Sequence, residues 1–291
     1  MKVSGFTIVR NALKFDYPAV ESISSLLPLV DEMVVAVGAS EDATLQLIRD
    51  INSPKIKIIE TVWDDSLREG GKVLAVETDK ALAAVSPDAD WCFYIQADEV
   101  LHEADIPAVR KAMEKYLERP DVEGLLFEYV HFYGSYQFVG DSRAWYRKEI
   151  RVVRPLPGLH SYQDAQGFRL NGQKLKVVSI PARIHHYGWV KNPFFQQEKQ
   201  KHFHKLWHDD AWLEKHVAQA DAYDYEKIES LKAFTGTHPK VMEERIARLD
   251  WAFHFDTRKR KYGLKKRILH AIESFTGIRL FEYKNYKEIR P

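Results

Sequence analysis

Short apolar runs alternate with amphipathic stretches over the first hundred residues. Four runs have the length and the β-branched or aromatic content of buried strands, namely residues 3–9, 33–37, 55–59 and 91–95. Three stretches between them have a helical pattern, namely 18–29, 43–51 and 71–85. Strands that alternate with helices predict parallel βαβ units, and therefore an α/β fold whose sheet is covered on both faces.

The pattern changes after residue 120. Residues 124–132 and 145–153 are long β-like runs, and a further strand ends at His186. From Pro193 onward the pattern is helical and polar, with no clear strand. We therefore predict an α/β domain over residues 1–190 and a helical C-terminal extension over residues 191–291.

Composition narrows the class of protein. Lys and Arg number 43 against 42 Asp and Glu, a balance that gives no support for nucleic acid as a partner. The single cysteine, Cys92, lies in a predicted strand and is expected to be a reduced core residue. The first ten residues are too polar for a signal peptide, and no apolar stretch has membrane-spanning length. We expect a cytoplasmic protein.

The apolar run at 91–95 continues into two carboxylates, Asp98 and Glu99. Carboxylates at the end of a buried strand lie at the rim of an open α/β sheet, where such folds bind ligands. Oxygen ligands there suit Mg²⁺ or Mn²⁺ that holds a phosphate. The alternative is a helix start, with Asp98 or Glu99 near the cap and Glu103 in the first turn.

Three short motifs each lie at the end of a predicted strand. Val9-Arg10-Asn11 ends the first strand, Ser40-Glu41-Asp42-Ala43-Thr44 follows the second, and Gln96-Ala97-Asp98-Glu99 follows the fourth. Together they resemble the motifs of family 2 glycosyltransferases with the GT-A fold. The resemblance implies a GT-A type, Rossmann-like mixed sheet flanked by helices. It also implies a nucleotide-sugar donor and a glycan or lipid-linked acceptor, in cell-envelope or polysaccharide synthesis.

The resemblance also assigns residues. Asp98 takes the family's metal position, with Glu99 beside it, and the late His of the family corresponds to His186. This implies Mn²⁺ or Mg²⁺ as the cofactor. The residues expected near the nucleotide and its phosphates are Val9, Arg10, Asn11, Gly38, Ser40, Asp42, Lys72, Gln96 and Ala97. The chain departs from the family at Gln96, where an Asp is usual, and near Gly38, where many members have acids.

The histidines admit other interpretations. His186 could pack beside Tyr187 and Trp189 rather than bind a metal, and His185 is a second candidate for the ligand. His204 and His208 are one helical turn apart and could pair on a metal. A solvated helix face explains that pair better, because no Glu completes a zinc-hydrolase motif.

An inverting transferase needs a general base for the acceptor hydroxyl. The candidates are Glu128, Asp141, Glu149 and Asp164. Asp164 is preferred, because it lies in a polar, aromatic loop of the kind that carries function, with His160 as a possible partner. The alternative is a turn Asp that caps its own backbone. The aromatic run 132–138 is either a platform for a sugar ring or part of the core.

The C-terminal part carries a basic cluster at 258–267, followed by a helical apolar spacing at 268–275. This combination suggests contact with a membrane surface, at the inner face, and the alternative is a solvated, basic terminal helix packed on the domain. The resemblance thus implies a metal-dependent inverting glycosyltransferase. A nucleotidyltransferase is disfavoured because Val9–Leu13 lacks glycine, whereas a non-catalytic nucleotide- or glycan-binding protein on the same fold stays open.

Overall fold

A computed structural model describes residues 1–67, 69–205, 207, 212, 215 and 220–291. The strands are β1 (Val3–Val9), β2 (Glu32–Gly38), β3 (Ile56–Thr61), β4 (Trp91–Tyr94), β5 (Glu99–Leu101), β6 (Gly124–Tyr133), β7 (Ser135–Gly140), β8 (Lys148–Val153), β9 (Leu159–Tyr162), β10 (Gly167–Leu170), β11 (Gln173–Lys174), β12 (Lys176–Trp189), β13 (Leu231–Ala233) and β14 (Lys287–Glu288). The helices are α1 (Ala19–Leu26), α2 (Thr44–Arg49), α3 (Lys72–Ala83), α4 (Ile106–Lys115), α5 (Pro193–His204), α6 (Glu243–Ala247) and α7 (Leu264–Thr276). Short 3₁₀ turns cover Glu69–Gly71, Glu103–Asp105, Tyr225–Lys227 and Lys240–Met242.

The centre of the molecule is a large mixed sheet. Its main path runs β13-β7-β6-β8-β4-β1-β2-β3, and β12 pairs with β6, β5 and β14. Strands β1 to β4 are mutually parallel where they pair, whereas β8 runs antiparallel to both β4 and β6. A small antiparallel sheet of β9, β10 and β11 lies apart from it. The predicted α/β fold, a mixed sheet flanked by helices, is confirmed.

Both faces of the central strands are buried, which explains their uninterrupted apolar sequences. On β2, Val35 and Val37 join the core cluster that includes α1 and α4. Val34 and Ala36 point the other way, into the cluster that includes α3. Because successive strand side chains alternate between faces, a strand covered on both sides must be apolar at every position.

The chain after β4 forms a turn rather than a helix. Asp98 lies in this turn, and Glu99 begins β5, which pairs antiparallel with β12 so that Glu99 lies opposite His186. The backbone N–H of Tyr187 donates to the carbonyl of Asp98 at 2.8 Å. The expected alternative, a helix capped by Asp98 or Glu99, is therefore wrong, and α4 begins only at Ile106.

The C-terminal part is not purely helical. Strand β13 pairs with β7 at one end of the large sheet, and β14 pairs with β12, so the expectation of no strand after Pro193 is wrong. The division at residue 190 stays a prediction, although both parts contribute strands to one sheet. Among the described residues no helix is long and apolar enough to cross a bilayer.

Candidate functional site

A cavity of about 540 Å³ opens where β1 and β4 end. One wall comes from Val9, Arg10 and Asn11 at the end of β1, and the floor from the turn that contains Asp98. The loop around Asp164 and the face of α5 complete it. Parallel strands place their carboxyl ends at the same edge of a sheet, so motifs far apart in sequence meet here.

Asp98 and His186 face each other at the cavity edge. Asp98 Oδ1 lies 3.7 Å from His186 Nε2, and both side chains are largely shielded from solvent. A cation bound at about 2.1 Å from each of two ligands spans a separation of about 3 to 4 Å. The pair therefore fits one divalent cation. Among the described residues no third His, Cys, Asp or Glu completes a cluster, so a cation bound here would take its remaining ligands from water or from a bound molecule.

A hydrogen-bond chain sets the tautomer of His186. His131 Nε2 lies 2.8 Å from the carbonyl oxygen of Tyr146, which can only accept, so this nitrogen carries the proton. His131 Nδ1 then accepts from His186 Nδ1 at 3.2 Å. Nε2 of His186 is consequently left with its lone pair toward Asp98. Burial lowers the pKa of His186, which keeps the ring neutral, and two acceptors that face each other favour a cation between them.

Gly188 leaves room for this pair. A Cβ atom at position 188 would lie 2.6 Å from Asp98 Oδ2 and 2.7 Å from His186 Nε2. The backbone of β12 can thus approach both side chains only because this residue is glycine.

Lys199 on α5 is the nearest positive charge to Asp98. Its Nζ donates to Asp98 Oδ2 at 3.1 Å and to the carbonyl of Gly188 at 3.0 Å. Burial by itself would raise the pKa of Asp98, but above all the ammonium of Lys199 holds it well below its usual range. Asp98 is therefore a full negative charge, and the ammonium of Lys199 lies beside it at the cavity edge.

Glu99 does not face the cavity, which corrects its assignment as a metal ligand. Its two carboxylate oxygens each accept from Arg151 at 2.7 Å, and both side chains are fully buried. The hydroxyl of Tyr129 also donates to Glu99, at 2.7 Å. This bidentate ion pair uses the lone pairs that a metal would need. Glu99 instead anchors the turn that presents Asp98.

Asp164 lies in the cavity wall on a strained loop. Its neighbours Gln163 and Ala165 have φ values of 53° and 59°, a left-handed conformation that non-glycine residues rarely adopt. Arg151 Nη1 donates to the carbonyl of Gln166 at 3.0 Å and supports the loop from below. Burial raises the pKa of Asp164, so its carboxylate is a stronger base than an exposed one.

The other three candidates for the base lie outside the cavity lining. Glu128 is exposed on β6. Asp141 accepts a hydrogen bond from Ser230. Glu149 is buried, and burial raises its pKa to about 8. His160 bonds the carbonyl of Gly158 rather than Asp164.

The residues expected near the nucleotide divide into two groups. Val9, Arg10, Asn11, Gln96 and Ala97 line the cavity. The others lie outside its lining, namely Gly38, Ser40, Asp42 and Lys72. The side chains of Ser40 and Asp42 instead hold the β1 loop and the start of α2, because they accept from the backbone N–H groups of Asn11, Lys14 and Thr44. Their place in the motif thus reflects loop structure rather than contact with this cavity.

Asn11 carries a further indication of a ligand. Its Oδ1 accepts from the backbone N–H of Glu41 at 2.8 Å, whereas its buried Nδ2 has no hydrogen-bond partner among the described residues. The indole N–H of Trp207, another cavity residue, is also buried without a hydrogen-bond partner among the described residues. Buried donors without partners are costly, so a ligand rich in acceptor oxygens would stabilise both.

Several residues that the sequence pattern did not single out complete the site. His131, Lys199, Tyr146 and Trp189 line the cavity beside Asp98 and His186. The aromatic run 132–138 does not line the cavity, and Phe132 stacks on Tyr187 at 4.6 Å between ring centroids, so of the two interpretations the core is the one that the structure supports. Because successive side chains of β12 point to opposite faces, His185 points away from the cavity and contacts Phe132. His204 lines the cavity, and His208 lies outside the described residues.

Comparison with known proteins adds similarity at the level of structure. No protein-family profile and no curated protein matches the chain. Among solved structures, the chain is similar to S. aureus TarS 1–349 in complex with UDP, with 15% identity over 76% of this chain and 68% of that one, and a TM-score of 0.43. It spans 38% of the longer TarS structure, with 16% identity over 69% of this chain and a TM-score of 0.42.

A further solved structure matches a smaller part of the chain. Glucosyl-3-phosphoglycerate synthase from Mycobacterium tuberculosis, in complex with Mn²⁺, UDP and glucosyl-3-phosphoglycerate, is 20% identical over 46% of this chain and 45% of that one, with a TM-score of 0.29.

Proposed function

We propose that this protein is a metal-dependent inverting glycosyltransferase, which moves a sugar from a nucleotide sugar to an acceptor hydroxyl. The observation that carries the proposal is the pair of acceptors, Asp98 Oδ1 and His186 Nε2, that face each other 3.7 Å apart in one cavity with Asp164. Asp98 and His186 would hold Mn²⁺ or Mg²⁺. When bound, such an ion would neutralise charge on the diphosphate leaving group.

The remaining chemistry belongs to side chains of this chain. Asp164 accepts the proton of the acceptor hydroxyl as the acceptor oxygen forms its bond to the anomeric carbon. The bond from that carbon to the diphosphate oxygen breaks on the opposite face, and the nucleoside diphosphate leaves with the electron pair. Lys199 stabilises the departing phosphates, because its ammonium already lies beside Asp98.

The first test of the proposal is nucleotide binding. Thermal shifts with UDP, GDP, CDP and dTDP, each with and without Mn²⁺, should show stabilisation by one nucleotide only in the presence of metal. Asp98→Asn and Gly188→Ala should both abolish the shift, since one removes the charged ligand and the other fills the space between the ligands. Asp121→Asn, at an exposed position, is the matched control.

The second test separates an enzyme from a binding protein. Asp164→Asn should keep the metal-dependent shift but lower donor turnover, measured as transfer or as slow hydrolysis, by about 10² to 10⁴. If the wild-type protein binds the nucleotide but shows no turnover, it is a non-catalytic binding protein rather than an enzyme. If turnover survives EDTA but is lost in Lys199→Met, then Lys199 rather than a divalent cation neutralises the diphosphate. That result would refute the metal dependence.

A further inference from the structure

Helix α7 contacts the rest of the protein through charged side chains. Glu273 pairs with Arg143 at 2.5 Å, Arg147 at 3.5 Å and Arg279 at 3.7 Å. About two turns earlier, Lys266 pairs with Glu229. Leu269 and Ile272 are half-buried, and none of the thirteen residues of α7, all of which are described, is fully buried. A surface helix of a globular protein normally buries its apolar stripe, whereas α7 leaves part of its apolar surface open.

The opposite face of α7 is apolar and open to solvent. Leu264 is 76% exposed, Ile268 53% and Phe275 95%. Their spacing of four and then seven residues places them on one stripe of a helix that turns 100° per residue. Just after the helix, Ile278, Phe281 and Tyr283 are also exposed. These six exposed large apolar residues within twenty positions of the chain indicate an interaction surface.

Positive charge is concentrated next to this stripe. Seven of the ten residues from 258 to 267 are Lys or Arg and none is acidic, although the whole chain has a formal net charge of only +1. The cluster precedes α7 and extends through its first turn. An exposed apolar stripe beside a dense basic cluster is the composition of a helix that lies in the interface of an anionic bilayer.

We propose that α7 and residues 277–283, together with the basic cluster, bind an anionic lipid bilayer, with α7 parallel to its surface. A second copy of the chain fits this surface less well. In a twofold dimer the same patch would meet itself, which would place the two basic clusters close together. Among the described residues, Arg258, Arg260 and Lys266 have carboxylate partners, which leaves four of the seven cations of each cluster without an ion pair. Anionic headgroups would supply negative charge to these four, and acyl chains would cover the stripe.

A short segment connects this surface to the cavity. Trp145 and Tyr146 line the cavity, while the flanking Arg143 and Arg147 pair with Glu273 of α7 and with Glu282. The proposed lipid-binding surface therefore lies one short segment away from the cavity.

The test is co-sedimentation of the full chain with lipid vesicles. Binding is expected to vesicles of mixed phosphatidylcholine and phosphatidylglycerol, to weaken at high salt, and to be far weaker with phosphatidylcholine alone. The variant Leu264→Gln/Ile268→Gln/Phe275→Ser should lower the affinity for mixed vesicles about tenfold or more. Val62→Gln, at a position that is 76% exposed outside this surface, is the matched control and should bind as the wild type does.

Two outcomes would overturn the inference. The first is equal binding, or none, with both kinds of vesicle. The second is a dimer in sedimentation velocity that the triple variant dissociates, which would assign the surface to a second copy. The nucleotide thermal shift of the triple variant should be unchanged, so a loss of vesicle binding and a failure of the proposed transferase function are separate results.

Discussion

A single imidazole, His131, determines which nitrogen of His186 faces Asp98. It does so without contact to the cation position, through one hydrogen bond to His186 and one to the carbonyl of Tyr146. Partners of this type orient a metal ligand and fix its tautomer. The ligand strength of His186 is therefore expected to depend on residue 131.

Replacement of His131 tests this dependence. His131→Leu removes the acceptor for His186 Nδ1–H, and we expect the affinity for Mn²⁺ with bound nucleotide to fall about 10- to 100-fold. His131→Asn keeps an acceptor oxygen near the position of Nδ1 and should retain most of the affinity. Calorimetric titration of Mn²⁺ gives both values. Equal losses in the two variants would show that position 131 matters only for packing.

Glu149 links the stability of the protein to pH. Burial raises the pKa of Glu149 to about 8 from an ordinary value near 4.5. Between these values the folded protein keeps a proton that the unfolded chain has released, so the free energy of unfolding falls as pH rises, by about 1.4 kcal/mol per pH unit at most. Below pH 4.5 both states are protonated, so the free energy of unfolding is at its highest with respect to this group and no longer changes with pH.

The isosteric variant Glu149→Gln should remove that pH dependence. We expect its melting temperature to exceed that of the wild type at pH 8 and to differ little at pH 4.5, as measured by calorimetry across this range. Glu128→Gln, an exposed position on β6, should show no such trend. A Glu149→Gln curve parallel to that of the wild type would mean that Glu149 is ionised in the folded protein.

At the level of elements, β5 and β8 are joined by the buried pair of Glu99 and Arg151. The same Arg151 supports the Asp164 loop through the carbonyl of Gln166. The turn that presents Asp98 and the loop that presents Asp164 are thus held by one guanidinium. Because both charges are fully buried, loss of one partner leaves the other uncompensated.

A double-mutant cycle measures this coupling. Arg151→Leu should lower the free energy of unfolding by about 3 to 5 kcal/mol, because it leaves the Glu99 carboxylate buried and unpaired. The double variant Glu99→Leu/Arg151→Leu should recover part of that loss, as measured by urea denaturation. Arg119→Leu, which breaks an exposed pair with Asp121, should change stability little. Additive losses in the cycle would exclude the coupling.

At the scale of the whole molecule, residues after 190 are tied to the N-terminal part by buried contacts. The fully buried Lys191 donates to the carbonyl of Asp16 at 2.6 Å. Arg245 pairs with Asp16 at 2.6 Å and with Glu21 at 3.1 Å. Lys199 reaches Asp98 from the same part of the chain. We therefore expect one cooperative unit rather than two independent ones.

A fragment of residues 1–190 tests that expectation. Without β13, β14 and α5 it exposes sheet edges and the cores beneath them, so we expect no cooperative thermal transition by circular dichroism. The full chain, melted under the same conditions, is the control. A fragment that melts cooperatively and keeps the metal-dependent nucleotide shift would establish a domain boundary at residue 190.

The local elements could be read from the sequence alone. Each early strand is an uninterrupted apolar run because both of its faces are covered, and each early helix has its own periodicity. The run that ends at Asp98 and the pair His185-His186 were visible for the same reason. Periodicity also explains why only one of those two histidines can face the cavity, since β12 alternates sides at each residue.

Only the tertiary structure decided how these elements combine into a site. Glu99 follows Asp98 directly, yet Arg151, fifty-two positions away, turns it from a metal ligand into an anchor. Lys199 and His131 meet Asp98 and His186 through α5 and β6, and no local pattern marks either residue. α7 has an ordinary amphipathic spacing, but only its contacts show that Lys266 and Glu273 pair with the rest of the protein while Leu264, Ile268 and Phe275 stay exposed. Periodicity reports which side of an element is apolar, whereas the partner of each side is set by packing between distant segments.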